Sequence, residues 1–353
     1  MLSGSRELFT SINEKVAAID PLGADPVMVF LPRWNETGNL EEIIHATTQL
    51  IHSSTMPTNR TEAMAGLRDL GMFAGSLRRH GYEPVEYVMG LEEVLLRYGG
   101  IADGVPRDTF FSYTLGNPSG ERRRRFTNLP EEEIFISSLS KGLVAQQETL
   151  LRLVEVYSLD LKSSIFSERI EEAIANFDGN VHAMADVYRS ISPDVFTNQM
   201  RPFFDPIKVQ DREYLAPAGS QMPMLLIDYL LWGSNDNSEE YRNFFNHTLP
   251  YLPKECRELS TLISLQGSLL SRVKVHLERK EPTTDEKISL DSIIKFINRV
   301  IAFRRPHMSI AEANFKLREP EAVGSGGYSM EILEYLFGKT VEARDILRGI
   351  VAV

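Results

Sequence analysis

The chain has 353 residues, 42% hydrophobic and 25% charged, a balance that excludes wholesale disorder and collagen-like repeats. Its 38 Lys and Arg against 49 Asp and Glu leave a net charge of −11, so neither nucleic acid nor an anionic membrane is an expected partner. One cysteine, Cys256, rules out an internal disulfide framework.

No apolar run approaches the roughly 18 residues that a spanning helix needs, and the first residues lack the basic-then-apolar pattern of a secretory signal. With the lone cysteine, this predicts a cytoplasmic protein. At about 150 residues per domain the length predicts two parts.

Taken in chain order, the pattern is helical almost throughout. The one strand candidate is 27–31, bracketed by Pro26 and Pro32. Arg78, Arg79 and His80 end a helical pattern, where cations favour the dipole. Asn117-Pro118-Ser119-Gly120 marks a break, followed by four arginines at 122–125. Those arginines adjoin Glu131, Glu132 and Glu133 and read as a solvated loop. Leu143, Val144, Leu150, Leu151, Val154 and Tyr157 recur at helical steps, as do apolar residues over 259–277 and over 290–301. Further breaks are expected at 205–217, 278–285 and 318–327. The reading is all-α, with an N-terminal helical region at 1–120 and a larger helical domain at 121–353.

Chemistry-bearing motifs are few. Seven histidines stand singly, with neither His-Glu-x-x-His nor Cys-x-x-Cys, so a zinc site is poorly supported. Gly-x-Ser-x-Gly is absent, against an α/β-hydrolase nucleophile. Two segments stand out. Gly324-Ser325-Gly326-Gly327-Tyr328 precedes an amphipathic run, where converging backbone N–H groups suit an anion. Read alone, it is as well a plain loop between helices. Arg304-Arg305-Pro306-His307 closes the 290–301 pattern, with His307 seven residues after Val300 on its apolar face. Such an imidazole can ligate haem iron, though a lone histidine there is more often an ordinary core residue. Cys256, among Lys254, Glu255, Arg257 and Glu258, reads as structural.

These segments occur in a familiar order. Arg201-Pro202-Phe203-Phe204-Asp205-Pro206, then Tyr214-Leu215-Ala216-Pro217-Ala218-Gly219-Ser220, then Asp228 through Leu231-Trp232-Gly233, then Arg304 to His307 and the glycine loop, resemble the haem-dependent indoleamine/tryptophan 2,3-dioxygenase superfamily. Pro217, Met222-Pro223, the residue after the last glycine, and the block from Leu67-Arg68-Asp69 to Tyr82-Glu83-Pro84 resemble its pyrrolnitrin-type branch.

The resemblance implies an indoleamine 2,3-dioxygenase-like helical bundle enclosing a non-covalent haem b. It implies His307 as the proximal iron ligand, Arg304 at a haem propionate, and Gly324 and Ser325 beside the cofactor. It implies Ser138 in the distal pocket as the catalytic-side serine, and Phe196 packed on the substrate ring. Arg201 would pair with an amino-acid carboxylate, a task its planar fork suits. Ala218, Gly219 and Ser220 would line the pocket, while Gly326, Gly327 and Tyr328 close over the substrate backbone. The expected activity is oxidation and rearrangement of tryptophan or chlorotryptophan in antibiotic biosynthesis, with dioxygen or peroxide and an electron donor. The rival readings are a tryptophan 2,3-dioxygenase or an aromatic-amino-acid monooxygenase, and a non-catalytic haem sensor or carrier.

Overall fold

Leu67, Leu70, Phe73, Ala74 and Leu77 recur at helical spacing and form the spine of the N-terminal part. The computed structural model describes residues 5–53, 55–278, 280–317, 324 and 326–352. Its first longer helices are α1 (Ser5–Ala18), α2 (Leu40–Ser53), α3 (Arg60–Arg79) and α4 (Leu91–Ala102). Asn59 caps α3 by accepting the Glu62 N–H, and His80 follows its last turn. Glycine lets neighbours approach this spine: a Cβ at Gly66 would lie 2.2 Å from the Tyr98 ring of α4, and one at Gly71 2.2 Å from Asp108.

The remaining longer helices are α5 (Pro130–Val156), α6 (Ser164–Ser190), α7 (Met224–Leu231), α8 (Glu239–Thr248), α9 (Lys254–Gln266), α10 (Leu269–His276), α11 (Thr284–Lys316) and α12 (Met330–Val351). α6 lies against both α5 and α11, and α12 closes on α11. Their apolar stripes merge with α7 into one core around Leu226, Ile227, Phe296 and Val300. A second core gathers Phe73, Leu77, Leu91 and Leu95 with Phe126, Phe203 and Phe204. Among the described residues, no helix is long and apolar enough to cross a membrane.

The all-α expectation therefore holds, with three corrections. Residues 27–31 are not a strand: Pro26 and Pro32 each sit in a first helical turn, where proline's fixed φ is tolerated, giving Asp25–Met28 and Leu31–Thr37. The strand pair lies in the break at 205–217, where Ile207–Val209 (β1) and Arg212–Tyr214 (β2) form an antiparallel hairpin with Ile207 opposite Tyr214. The 259–277 pattern is two helices, because Gly267 turns left-handed (φ 76°) and Ser268 caps the next helix by accepting the Ser271 N–H.

The largest surprise is the arginine run. Arg124 is fully buried, and its Nε donates to Asp69 at 2.9 Å while its Nη2 reaches Asp25. Arg68 grips the other side of the same carboxylate through Nε and Nη2, both at 2.8 Å, and carries the Val16 and Gly116 carbonyls on Nη1. Arg122 pairs with Asp25 and Arg123 with Glu133. A charge run that looks solvated in sequence thus ties α1, α3 and the 116–124 loop around one buried anion. Removing one partner of a buried ionic cluster strands the others. Asp69→Ala should lower unfolding free energy by about 3–5 kcal/mol in urea titration, whereas Asp186→Ala at an exposed pair should change it by less than about 1 kcal/mol.

Candidate active site

Between α5, the end of α6, α7, α11 and the start of α12 lies a largely apolar cavity of about 310 Å³. α11 supplies one wall. Its capping box is complete, with Thr283 and Glu286 satisfying each other's backbone N–H. The sequence pattern suggests an end near residue 301, yet the helix runs through Pro306 to Lys316. Pro306 cannot donate a backbone hydrogen bond, and packing on α6 and α12 carries the helix past it. Phe303, Arg304, His307, Ala311 and Asn314 consequently share the cavity wall at helical spacing.

His307 is partly accessible within that wall, and its ring stacks on Phe303 (centroids 5.8 Å, planes 22° apart). Among the described residues it has no hydrogen-bond partner. Burial, helped by the neighbouring Arg304 guanidinium, pulls its imidazole down to about 4. It is therefore neutral at physiological pH. Of the other histidines, His276 is taken by Glu286 at 2.6 Å, His45, His52, His182 and His247 are exposed, and His80, whose Nε2 is also buried without a partner, does not line the cavity.

Arg304 is buried and donates through Nη2 to Asp228 on α7, leaving its Nε without a partner. Asp228 keeps its Oδ1 unpartnered, and burial raises its carboxyl above the usual range despite the arginine. Across the cavity, Phe196 opens a short π-helix, Phe196–Met200, closed by the Arg201 N–H donating to the Phe196 carbonyl. The Phe196 ring meets Phe135 of α5 at 5.5 Å. Arg201 lies 6% exposed, donates through Nη1 to Asp205 at 2.6 Å and has a buried, unpartnered Nε.

The glycine loop forms the remaining wall. Gly324 N–H donates to the Tyr328 carbonyl and Gly327 N–H to Gly324, both at 2.9 Å, with Gly327 at φ 75°. A Cβ at Gly326 would fall 2.8 Å from the unpartnered Ser220 hydroxyl, so this glycine is what allows the loop to seat there. The Tyr328 hydroxyl is held by His247 Nδ1 at 2.7 Å.

Of the residues expected from sequence, Phe196, Arg201, Gly219, Ser220, Arg304, His307, Gly324, Gly326 and Tyr328 meet at this cavity. Ser138 is buried on α5, but Phe135 and Leu139 make the wall there. Ala218, which is buried, and Gly327, which is exposed, are not among the residues that line the cavity. Ser325 lies outside the described residues. Sequence reading missed Thr197 and Asn314, which join across the cavity edge. It quoted Asp228 only as part of a motif, and the Arg304 partner that gives it meaning is 76 residues away.

Among the described residues no group of three His, Cys, Asp or Glu side chains is placed to chelate a metal ion. A macrocycle that brings its own four nitrogen donors needs one protein ligand, and a neutral, unpartnered imidazole suits that role. The two orphaned guanidinium Nε donors suit anionic substituents. The residues present thus fit a haem.

A family model for monodechloroaminopyrrolnitrin synthase (PrnB) matches residues 37–345. The chain belongs to this family. As a PrnB-family protein it is an oxidative synthase of the antibiotic-forming pyrrolnitrin pathway, working on a tryptophan-derived substrate.

The depressed imidazole of this PrnB-family chain has a measurable sign. Between the ordinary histidine value of 6.5 and about 4, the unfolded chain binds a proton at residue 307 and the folded chain does not. Stability is complete above 6.5 and is lost as pH falls toward 4. Discounting for the ring's partial exposure, the loss is about 2–3 kcal/mol. Chemical denaturation of cofactor-free protein at pH 7 and pH 4.5 should show a steeper loss for wild type than for His307→Gln.

Proposed function

We propose that this protein binds a b-type haem through His307 and oxidises and rearranges tryptophan or a chlorotryptophan, using dioxygen or peroxide and an external electron donor. The observation that carries this reading is His307 itself: neutral, without a protein partner among the described residues, and set in an apolar cavity with two arginines. Bound haem supplies the electron storage and oxidising power that no side chain here possesses. Arg304, with its free Nε, and the Gly324 end of the loop are the groups we assign to the cofactor, with Ser325 assigned by resemblance alone.

The chain's own residues bind and orient. Arg201 Nε is a buried donor for an amino-acid carboxylate, in place of the water it would otherwise need. Phe196 and Phe135 offer aromatic surface to a flat bicyclic ring. The apolar walls around Leu139, Met184, Ile191 and Ile310 exclude water and strengthen each polar contact. Tyr328, fixed by His247, closes one side together with Gly326. Asp228 is placed to hold a proton at Oδ1 while Oδ2 stays on Arg304. Ser138 has no wall position here, and its catalytic role rests on the resemblance.

His307→Ala should abolish or strongly reduce the haem absorption band of purified protein, whereas His276→Ala should keep it. A normal histidine-ligated spectrum in His307→Ala would overturn the assignment. Loss of a buried charged hydrogen bond costs about 2–5 kcal/mol. Arg201→Leu should accordingly weaken L-tryptophan binding by on the order of 10²-fold with unchanged haem content. Product mass then separates the chemistries: loss of carbon dioxide for rearrangement, two added oxygens for a dioxygenase, one for a monooxygenase.

A further inference from the structure

At the far edge of the cavity, Thr197 of the π-helix donates its hydroxyl to Asn314 Oδ1 at 3.3 Å. Both residues line the cavity, and Thr197 is only 7% exposed. The bond orients the amide. With Oδ1 occupied by Thr197, Nδ2 is the part left to donate, and among the described residues it meets no protein acceptor. Asn314 stands seven residues beyond His307 on one helix, so the two share a face and lie about 10 Å apart along the axis. Thr197 precedes Arg201 by four residues in the π and 3₁₀ turns that also present Phe196. The Thr197–Asn314 bond therefore joins the two walls of the site, four residues before the arginine assigned to an anion, which lines the same cavity.

We propose that the Asn314 side-chain amide is a second anion-binding donor of the site, aimed by Thr197, which acts with Arg201 on the carboxylate of an amino-acid ligand. The inference rests on the reading of Arg201 as a carboxylate binder. A planar carboxylate has more acceptor positions than one guanidinium Nε fills, and in an apolar cavity an unfilled one is costly. A neutral amide adds a donor without a second positive charge that would repel Arg201. It also distinguishes a carboxylate from the bare ammonium end of an amine, which has only donors to offer.

The test is calorimetric titration of the purified protein with L-tryptophan and with tryptamine, for wild type, Asn314→Asp, Thr197→Val and Arg201→Leu. Asn314→Asp keeps the shape but replaces the donor by a negative charge. It should weaken L-tryptophan by on the order of tenfold or more, while tryptamine binds as before or more tightly. Thr197→Val, which preserves volume and frees the amide to turn, should give a smaller loss confined to L-tryptophan. Should Asn314→Asp fail to fold, Thr197→Val alone decides by the same ratio. Equal affinity of wild type and both variants for L-tryptophan overturns the proposal while Arg201→Leu still upholds the arginine. So does an equal loss for both ligands, which is the mark of a merely structural bond. If Arg201→Leu also leaves the ratio unchanged, the carboxylate reading itself fails and Asn314 falls with it.

Discussion

α11 must do two incompatible-looking things along one rod, and its length resolves them. Its first half is core: Leu290, Ile293, Ile294, Phe296, Ile297, Val300 and Ile301 are buried against α6, α12 and α7. Its second half is wall, with Arg304, His307 and Asn314 facing a cavity that needs polar groups at fixed depth. A free helix cannot hold side chains against a void, because nothing on that side restrains it. Anchoring 33 residues by one end in a packed core supplies the missing restraint. The ion pair from Arg304 to Asp228 fastens the junction between the two halves, where the buried apolar stripe gives way to the wall. Pro306 sits two residues beyond Arg304, so the break in the hydrogen-bond ladder falls close to that buried ion pair.

The N-terminal part solves a related problem with charge. Glycines thin α3 until Tyr98 and Asp108 reach its backbone, and the apolar contacts of Leu67, Leu70, Phe73 and Leu77 that hold it are non-directional. Asp69 between Arg68 and Arg124 supplies directional contacts instead. The desolvation cost of that cluster is offset in part by the backbone carbonyls each guanidinium also carries, Val16 and Gly116 for Arg68 and Arg122 for Arg124, and by Asp25 on Arg124.

Periodicity alone was enough to read α5 and the packed half of α11 from sequence, since apolar stripes report burial directly. It failed where another force decided the structure. At 27–31 proline's fixed φ made helical turns of a short apolar run, and at Gly267 a left-handed residue cut one stripe into two helices. At 205–217, Gln210 at φ 54° turns a hairpin too short to show alternation. Arg124 misled because its partner, Asp69, is 55 residues earlier, and sequence neighbours say nothing of that. The site divides the same way. His307 and Arg201 could be named from motif order, whereas Asp228 and Asn314 acquire meaning only through partners 76 and 117 residues away.

Phe196 and Arg201 are joined by a hydrogen bond five residues long rather than four. A π turn accommodates one residue more than an α turn, so it stores a phase offset of about 100° in the chain that follows. Everything downstream, Arg201 first, points where it does because that extra residue is present. Excising one residue from 197–199 would let the segment relax to an ordinary α turn and swing the guanidinium a quarter-circle out of the cavity, with no side chain of the site itself replaced. The azimuth of the anion-binding group is thus written in residue count as much as in residue identity, and a chain that had lost that one position would keep every motif and still present the arginine to the wrong neighbour.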